Sequence, residues 1–163
     1  MVATPEFILA LRDKIGHDLL WLPGVSIVVV DDEGRVLLGR RADTGHWAVV
    51  SGIPDPGEQP AAAAVRECLE ETGVQAEVLG VASVSAGAPM SFPNGDRCAF
   101  MDMTFAARPV PGSAQPHVAD DESTEVGWFA PEALPEPLLA STPGRMRAAL
   151  DWLADPSRGA RFQ

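Results

Sequence analysis

Residues 52–74 read "GIPDPGEQPAAAAVRECLEETGV", a stretch that changes character part-way along. Its first third, "GIPDPGEQP", mixes three prolines with two glycines and predicts a shaped loop. Pro60 then opens an alanine-rich run that closes at Gly73, which predicts a helix over 60–72 with proline in its first turn and glycine just past its end. On that helix Glu67, Glu70 and Glu71 stand at i, i+3 and i+4. At about 100° per residue they share an arc of roughly 100°, with Val65, Cys68, Leu69 and Thr72 grouped on the other side. Like charges at this spacing repel by a few tenths of a kcal/mol per pair. One basic residue, Arg66, accompanies them, so the face lacks the lysine partners that ordinarily support exposed glutamates. A solvated acidic face is one reading. The other is a ligand site, because a carboxylate face beside an open, glycine-containing backbone suits hard cations such as Mg²⁺ or Mn²⁺.

Outward from this helix the chain predicts alternating strands and helices. "TPEFILALRDKIG" begins with Thr4 as an N-cap and Pro5 at the first helical position, giving a helix over 4–16 with Phe7, Leu9, Leu11 and Ile15 as its buried stripe. "GVSIVVVDDEGRVLLGRR" reads as a hairpin of residues 25–31 and 35–40, and "HWAVVSG" as a short strand. Strands are expected over 76–86 and 97–107, with "FPNGD" between them, and again at "TEVGWF" after a proline-rich acidic loop, 109–122. "TPGRMRAALDWLAD" predicts a last helix over 142–155. The 163 residues show no internal repeat and suit one domain, 1–163.

Twelve basic residues against 23 acidic ones leave a net charge of −11, which opposes binding to nucleic acid or an anionic membrane. Cys68 and Cys98 lie in apolar runs without metal-ligand spacing and read as buried, reduced thiols of a cytoplasmic protein. The start of the chain has no secretory pattern, and no apolar run is long enough to span a bilayer. The apolar "LLWLPG" stretch could contribute to a homodimer.

The stretch 52–74 resembles the signature of the Nudix hydrolases: Gly, five residues, Glu, seven residues, Arg-Glu, an apolar residue, any residue, Glu-Glu, any residue, Gly and an apolar residue. Gly52, Glu58, Arg66, Glu67, Glu70, Glu71 and Gly73 fill its fixed positions, with Cys68 and Val74 at the apolar ones. "GRVLLGRR", "HWAVVSG" and "EVGWFAPEALP" are similar to the segments that flank the box in that family. The resemblance implies an α/β/α sandwich around a mixed sheet. It also implies hydrolysis of a small-molecule nucleoside diphosphate linked to another group, with Mg²⁺ or Mn²⁺ as cofactor.

By the same resemblance Glu67, Glu70 and Glu71 are metal ligands, and Glu67 is the first choice to position or deprotonate water. Gly52 would offer its carbonyl to the metal, Arg66 would pair with Glu58 to orient the helix, and a later loop would add a ligand, for which Glu122 is chosen. Arg40 and Arg41 can meet substrate phosphate or form a salt bridge to Asp43. His46 can contact substrate or simply pack beside Trp47. Phe92 can face a base or sugar, or belong to a plain hairpin turn at Asn94-Gly95. The loop departs from the commonest family form, since Pro54 and Pro56 stiffen it, which bears on substrate preference. Two other functions share the fold: a nucleotide-binding module without turnover, and an isoprenyl-diphosphate isomerase that would need a catalytic cysteine. The complete set of carboxylates and the inward-facing Cys68 argue against them.

Overall fold

A computed structural model describes residues 4–92 and 94–162. The predicted box helix forms over its expected length, α2 (Pro60–Thr72). Gly73 ends it at φ +70°, a left-handed conformation that glycine takes without a Cβ penalty, and its N–H reaches the Leu69 carbonyl at 2.9 Å. Small side chains let the helix lie close on a sheet. Ala63, Ala64 and Cys68 are fully buried against Val25, Ile27, Val29, Val50, Phe105 and Ala107. Leu69 is the exception to the expected inner face, being 42% exposed.

The strands are β1 (Leu20–Val29), β2 (Val36–Arg41), β3 (Trp47–Ala48), β4 (Val50–Gly52), β5 (Ala76–Ala86), β6 (Met90–Ser91), β7 (Arg97–Pro109), β8 (Ser123–Phe129) and β9 (Arg161–Phe162). They make a mixed sheet of six strands in the order β4-β1-β7-β5-β9, with β6 on β7, and a second sheet of three, β3-β2-β8. β1 runs parallel to β7, while β4–β1 and β5–β7 are antiparallel. The other helices are α1 (Glu6–Ile15) and α3 (Thr142–Ala154). Alternation along β1 turns Val25, Ile27 and Val29 toward α2, and Val28 toward Met146, Ala148 and Ala149 of α3. The result is an α+β fold, a central mixed sheet between helices, as the resemblance implied.

Several local expectations are corrected. Residues 25–31 and 35–40 are not a paired hairpin. The turn forms, with Asp31 accepting from the backbone N–H of Glu33 and Arg35, but only the isolated bridge Val30–Val36 joins the strands before they part into different sheets. The cause is burial. From Gly24 onward β1 is covered on both faces, the pattern of a central strand, and it takes β4 and β7 as neighbours instead. "HWAVVSG" likewise splits at Val49 into β3 and β4, one in each sheet.

In α1, Pro5 occupies the cap position and Ile8 is the buried residue, whereas Leu9 and Leu11 are exposed. The helix is anchored by Ile8 in a small cluster with Leu22 and Cys98, and by Arg12, which donates to the carbonyls of Gly16, Asp18 and Arg97. Within "LLWLPG" Leu22 is buried while Leu19 and Trp21 are exposed. α3 starts at the expected Thr142, though this residue is buried and donates to the Trp47 carbonyl at 3.5 Å instead of serving as a cap. Cys68 and Cys98 are free and buried, as expected. Among the described residues no helix is long and apolar enough to cross a membrane.

Candidate active site

The loop between β4 and α2 folds back on itself before the helix begins. The Glu58 N–H donates to the Asp55 carbonyl at 2.9 Å, and the Asp55 N–H donates to Glu58 Oε2 at 3.0 Å. This fixes the Glu58 carboxylate in front of Arg66, whose Nε and Nη2 each donate to one of its oxygens at 2.9 Å. The planar guanidinium matches a carboxylate in this two-point geometry. Its remaining nitrogen, Nη1, donates to Glu67 Oε1 and Glu70 Oε2, both at 3.0 Å. Arg66 thus gathers three carboxylates and is itself an i, i+4 partner for Glu70, so the acidic face is less bare than the sequence suggests. Hydrogen bonding to Arg66 pulls the Glu58 carboxyl down to about 2, and the same bonds raise the Arg66 guanidinium.

Glu67 and Glu71 lie in a different environment. Burial pushes Glu67 up to about 7 despite the opposing pull of Arg66, and the charges of Glu70 and Glu122 push the same way. Burial also pushes Glu71 up to about 8, reinforced by Glu122, Glu67 and Asp120 and opposed by Arg41. Glu67's carboxyl sits directly over Gly52, where a Cβ would collide with its Cγ, Cδ and Oε1. Glycine at position 52 therefore leaves room for a carboxylate against the backbone.

Glu122 arrives from far along the chain because the acidic loop is tied to the end of α2. The His117 N–H donates to the Thr72 carbonyl at 3.0 Å, the Ala119 N–H to that of Glu71 at 3.3 Å, and the His117 ring covers Gly73. The β2–β8 pairing, Arg41 opposite Ser123, then sets Glu122 beside the end of β2, where its carbonyl accepts from the Ala42 N–H at 2.8 Å.

The two arginines expected to meet phosphate are both paired. Arg41 holds Asp43 with bonds of 2.9 and 2.6 Å, and its charge reaches Glu71 and Glu122 at the rim of the cluster. Arg40 turns to Glu125 at 2.6 Å and the Gly45 carbonyl at 3.1 Å. His46 Nδ1 lies 3.0 Å from the Thr44 carbonyl, and Trp47 packs edge-on to Phe129. Phe92 is set apart. Ser91 pairs with Arg97, whereas Gly52 is level with Val25 and so with Met103, six residues and about 20 Å further along β7. The Phe92 backbone closes the expected turn with Gly95 and Asp96, and Pro93 lies outside the described residues.

Among the described residues no three carboxylate, imidazole or thiol side chains converge closely enough to hold a cation as they stand. Two of the three box glutamates are turned onto Arg66 instead. The donor chemistry nonetheless fits a hard divalent cation. Glu67, Glu71 and Glu122 are oxygen donors near enough to feel one another's charge, and Glu67 and Glu71 resist ionisation because burial disfavours their charged forms and the neighbouring carboxylates add to it.

The NUDIX domain family matches residues 20–153. The chain is 32% identical over 127 residues to a MutT-like protein of Streptomyces ambofaciens, covering 78% of this chain and 75% of that one. Among solved structures it resembles a MutT NUDIX hydrolase from Burkholderia pseudomallei, with 27% identity, a TM-score of 0.61, and coverage of 79% of this chain and 98% of that one. An ADP-ribose pyrophosphatase from Streptococcus suis shares the fold at 20% identity and a TM-score of 0.63, over 86% of this chain and 97% of that one. With its complete box on the helix that packs the central sheet, the chain belongs to the Nudix family and is a hydrolase of diphosphate linkages in nucleotide-derived substrates.

Proposed function

We propose that the substrate is a small nucleotide derivative, either a nucleoside diphosphate joined to another group, as in ADP-ribose, or a nucleoside triphosphate, and that Mg²⁺ or Mn²⁺ is required. Glu67, Glu70, Glu71, Glu122 and the Gly52 carbonyl are the groups that would hold the cation. A bound divalent ion would supply neutralisation of phosphate charge and a more acidic water.

The protein's own residues do the rest. Glu67, whose carboxyl lies against Gly52, is the group that would position or deprotonate the water attacking phosphorus in line with the bridging oxygen that leaves. Arg66 and Glu58 orient the helix. Arg41, at the rim of the cluster, can exchange Asp43 for a substrate phosphate, with Arg40 and His46 as further substrate contacts, whereas Phe92 lies too far along β7 to share in this site. The observation that carries the reading is the ion network centred on Arg66, which holds Glu58, Glu67 and Glu70 together beside the half-buried Glu71.

The test is a panel of ADP-ribose, sugar nucleotides, dinucleoside polyphosphates and nucleoside triphosphates with Mg²⁺ or Mn²⁺. At least one should be cleaved by the native protein, and Glu70→Gln and Glu71→Gln should each slow that reaction by roughly 100-fold or more. No metal-dependent release from any compound would overturn the proposal.

A further inference from the structure

On the face of the sheet opposite α2 lies a cleft of about 370 Å³, floored by Ala82 and the half-buried Trp152 and ringed by Arg147, Arg158 and Arg161 together with one acid, Asp151. Its charge runs against that of the molecule. Residues 145–161 carry four arginines against two aspartates, in a chain whose net charge is −11. Most arginines elsewhere are spent on carboxylates: Arg12 on Asp96, Arg35 on Asp31, Arg40 on Glu125, Arg41 on Asp43, Arg66 on Glu58 and Arg108 on Glu77, with Arg97 the exception among the described residues. In the cleft, Arg161 reaches Asp151 only at 3.8 Å. Among the described residues neither Arg147 nor Arg158 has a side-chain hydrogen bond or ion pair.

The walls are held in place from two directions. Trp152 lies against Gly80 of β5, where a Cβ would collide with its six-membered ring, and β9 pairs beside β5 with Arg161 opposite Ser83. The 3₁₀ turn at Pro156–Arg158 is capped by Asp155, which accepts from the Ser157 N–H at 3.2 Å and so delivers Arg158 to the rim.

We infer that this cleft is a second, metal-independent site that binds the phosphate groups of a phosphorylated small molecule through Arg147 and Arg158. Guanidinium groups without protein partners bind phosphate oxygens by charge-assisted hydrogen bonds, and here two exposed ones line the same concave surface. The site does not use the box glutamates and is independent of the proposed substrate.

Calorimetric titration in EDTA at low salt isolates it, since without a cation the crowded carboxylates of the box repel polyanions. Pyrophosphate, tripolyphosphate and ADP are the probes, and the Trp152→Phe protein identifies the part of any fluorescence change that arises in the cleft. Native protein should bind with about one equivalent, more weakly as salt rises. The Arg147→Gln/Arg158→Gln double variant should bind about tenfold more weakly or worse, with its melting temperature and diphosphate hydrolysis unchanged. Tighter binding of ADP than of pyrophosphate identifies a nucleotide as the ligand, and equal or weaker binding a free polyphosphate. Absence of binding to native protein up to millimolar probe, or equal affinity in the double variant, overturns the inference.

Discussion

Replacing Glu58 by Gln tests the part of the site that orders the box. The substitution keeps shape and removes charge, so Arg66 loses its two-point carboxylate partner but keeps Glu67 and Glu70. A carboxyl held near 2 instead of 4.5 corresponds to a ceiling of about 3 kcal/mol at neutral pH. Arg66 is 32% exposed, so solvent screening reduces this, and a loss of about 1–2 kcal/mol is expected at pH 7. The folded value lies below the unfolded one. The stabilisation is therefore present above pH 4.5 and disappears as pH falls through 2. Urea unfolding of native and variant protein at pH 7, 5 and 3 measures it: the gap should be full at pH 7 and 5 and less than half at pH 3. A gap that stays constant with pH would mean that Gln disturbs loop packing and not the ion pair, and the reasoning would fail.

Glu71→Gln should act in the opposite sense on metal-free protein. Because Glu71 is raised to about 8, its favourable protonated form is fully present below 4.5 and is lost as pH rises through 8. The variant should thus melt higher than native protein in EDTA at pH 9 and nearly the same at pH 5, by differential scanning fluorimetry. Gly73→Ala places a side chain at φ +70° and a Cβ in the His117 ring. It should cost about 1–3 kcal/mol in chemical denaturation and loosen the acidic loop, seen as faster amide exchange at His117 and Ala119. Asp102→Asn removes the charge that receives Arg145 at 3.1 Å and bonds from Ser26 and Thr104. Leaving the partly buried arginine without its counter-ion should cost about 2–4 kcal/mol at pH 7.

What was legible in the sequence was local. Pro60, the alanine run and Gly73 define α2 because each acts on the backbone next to it, and the spacing of the glutamates follows once the helix is granted. The partition into two sheets was not legible. "GVSIVVV" and "GRVLLGRR" carry every local sign of a hairpin, and what separates them is a choice of distant partners, β7 for one and β8 for the other. The unbroken apolar run Ile27, Val28, Val29 was the available signal, since a strand covered on both faces belongs in the middle of a sheet with a neighbour on each side.

The site divides in the same way. The Arg66–Glu58 pair followed from the resemblance, whereas Glu122 reaches the cluster through backbone bonds from His117 and Ala119 that no local pattern encodes. Arg41 also comes close only because β2 ends level with Ser123.

If Glu67 and Glu71 are crowded with Glu122 to receive a divalent cation, Mn²⁺ titration calorimetry in two buffers of different ionisation enthalpy will show proton release coupled to binding. At pH 7 native protein should bind Mn²⁺ with release of about one to two protons, because carboxyls near 7 and 8 must ionise to ligate. The Glu67→Gln/Glu71→Gln protein should show neither the binding heat nor the proton release. Equal Mn²⁺ binding by both proteins, or binding by native protein with no proton release, would mean that these two carboxyls do not ligate the ion.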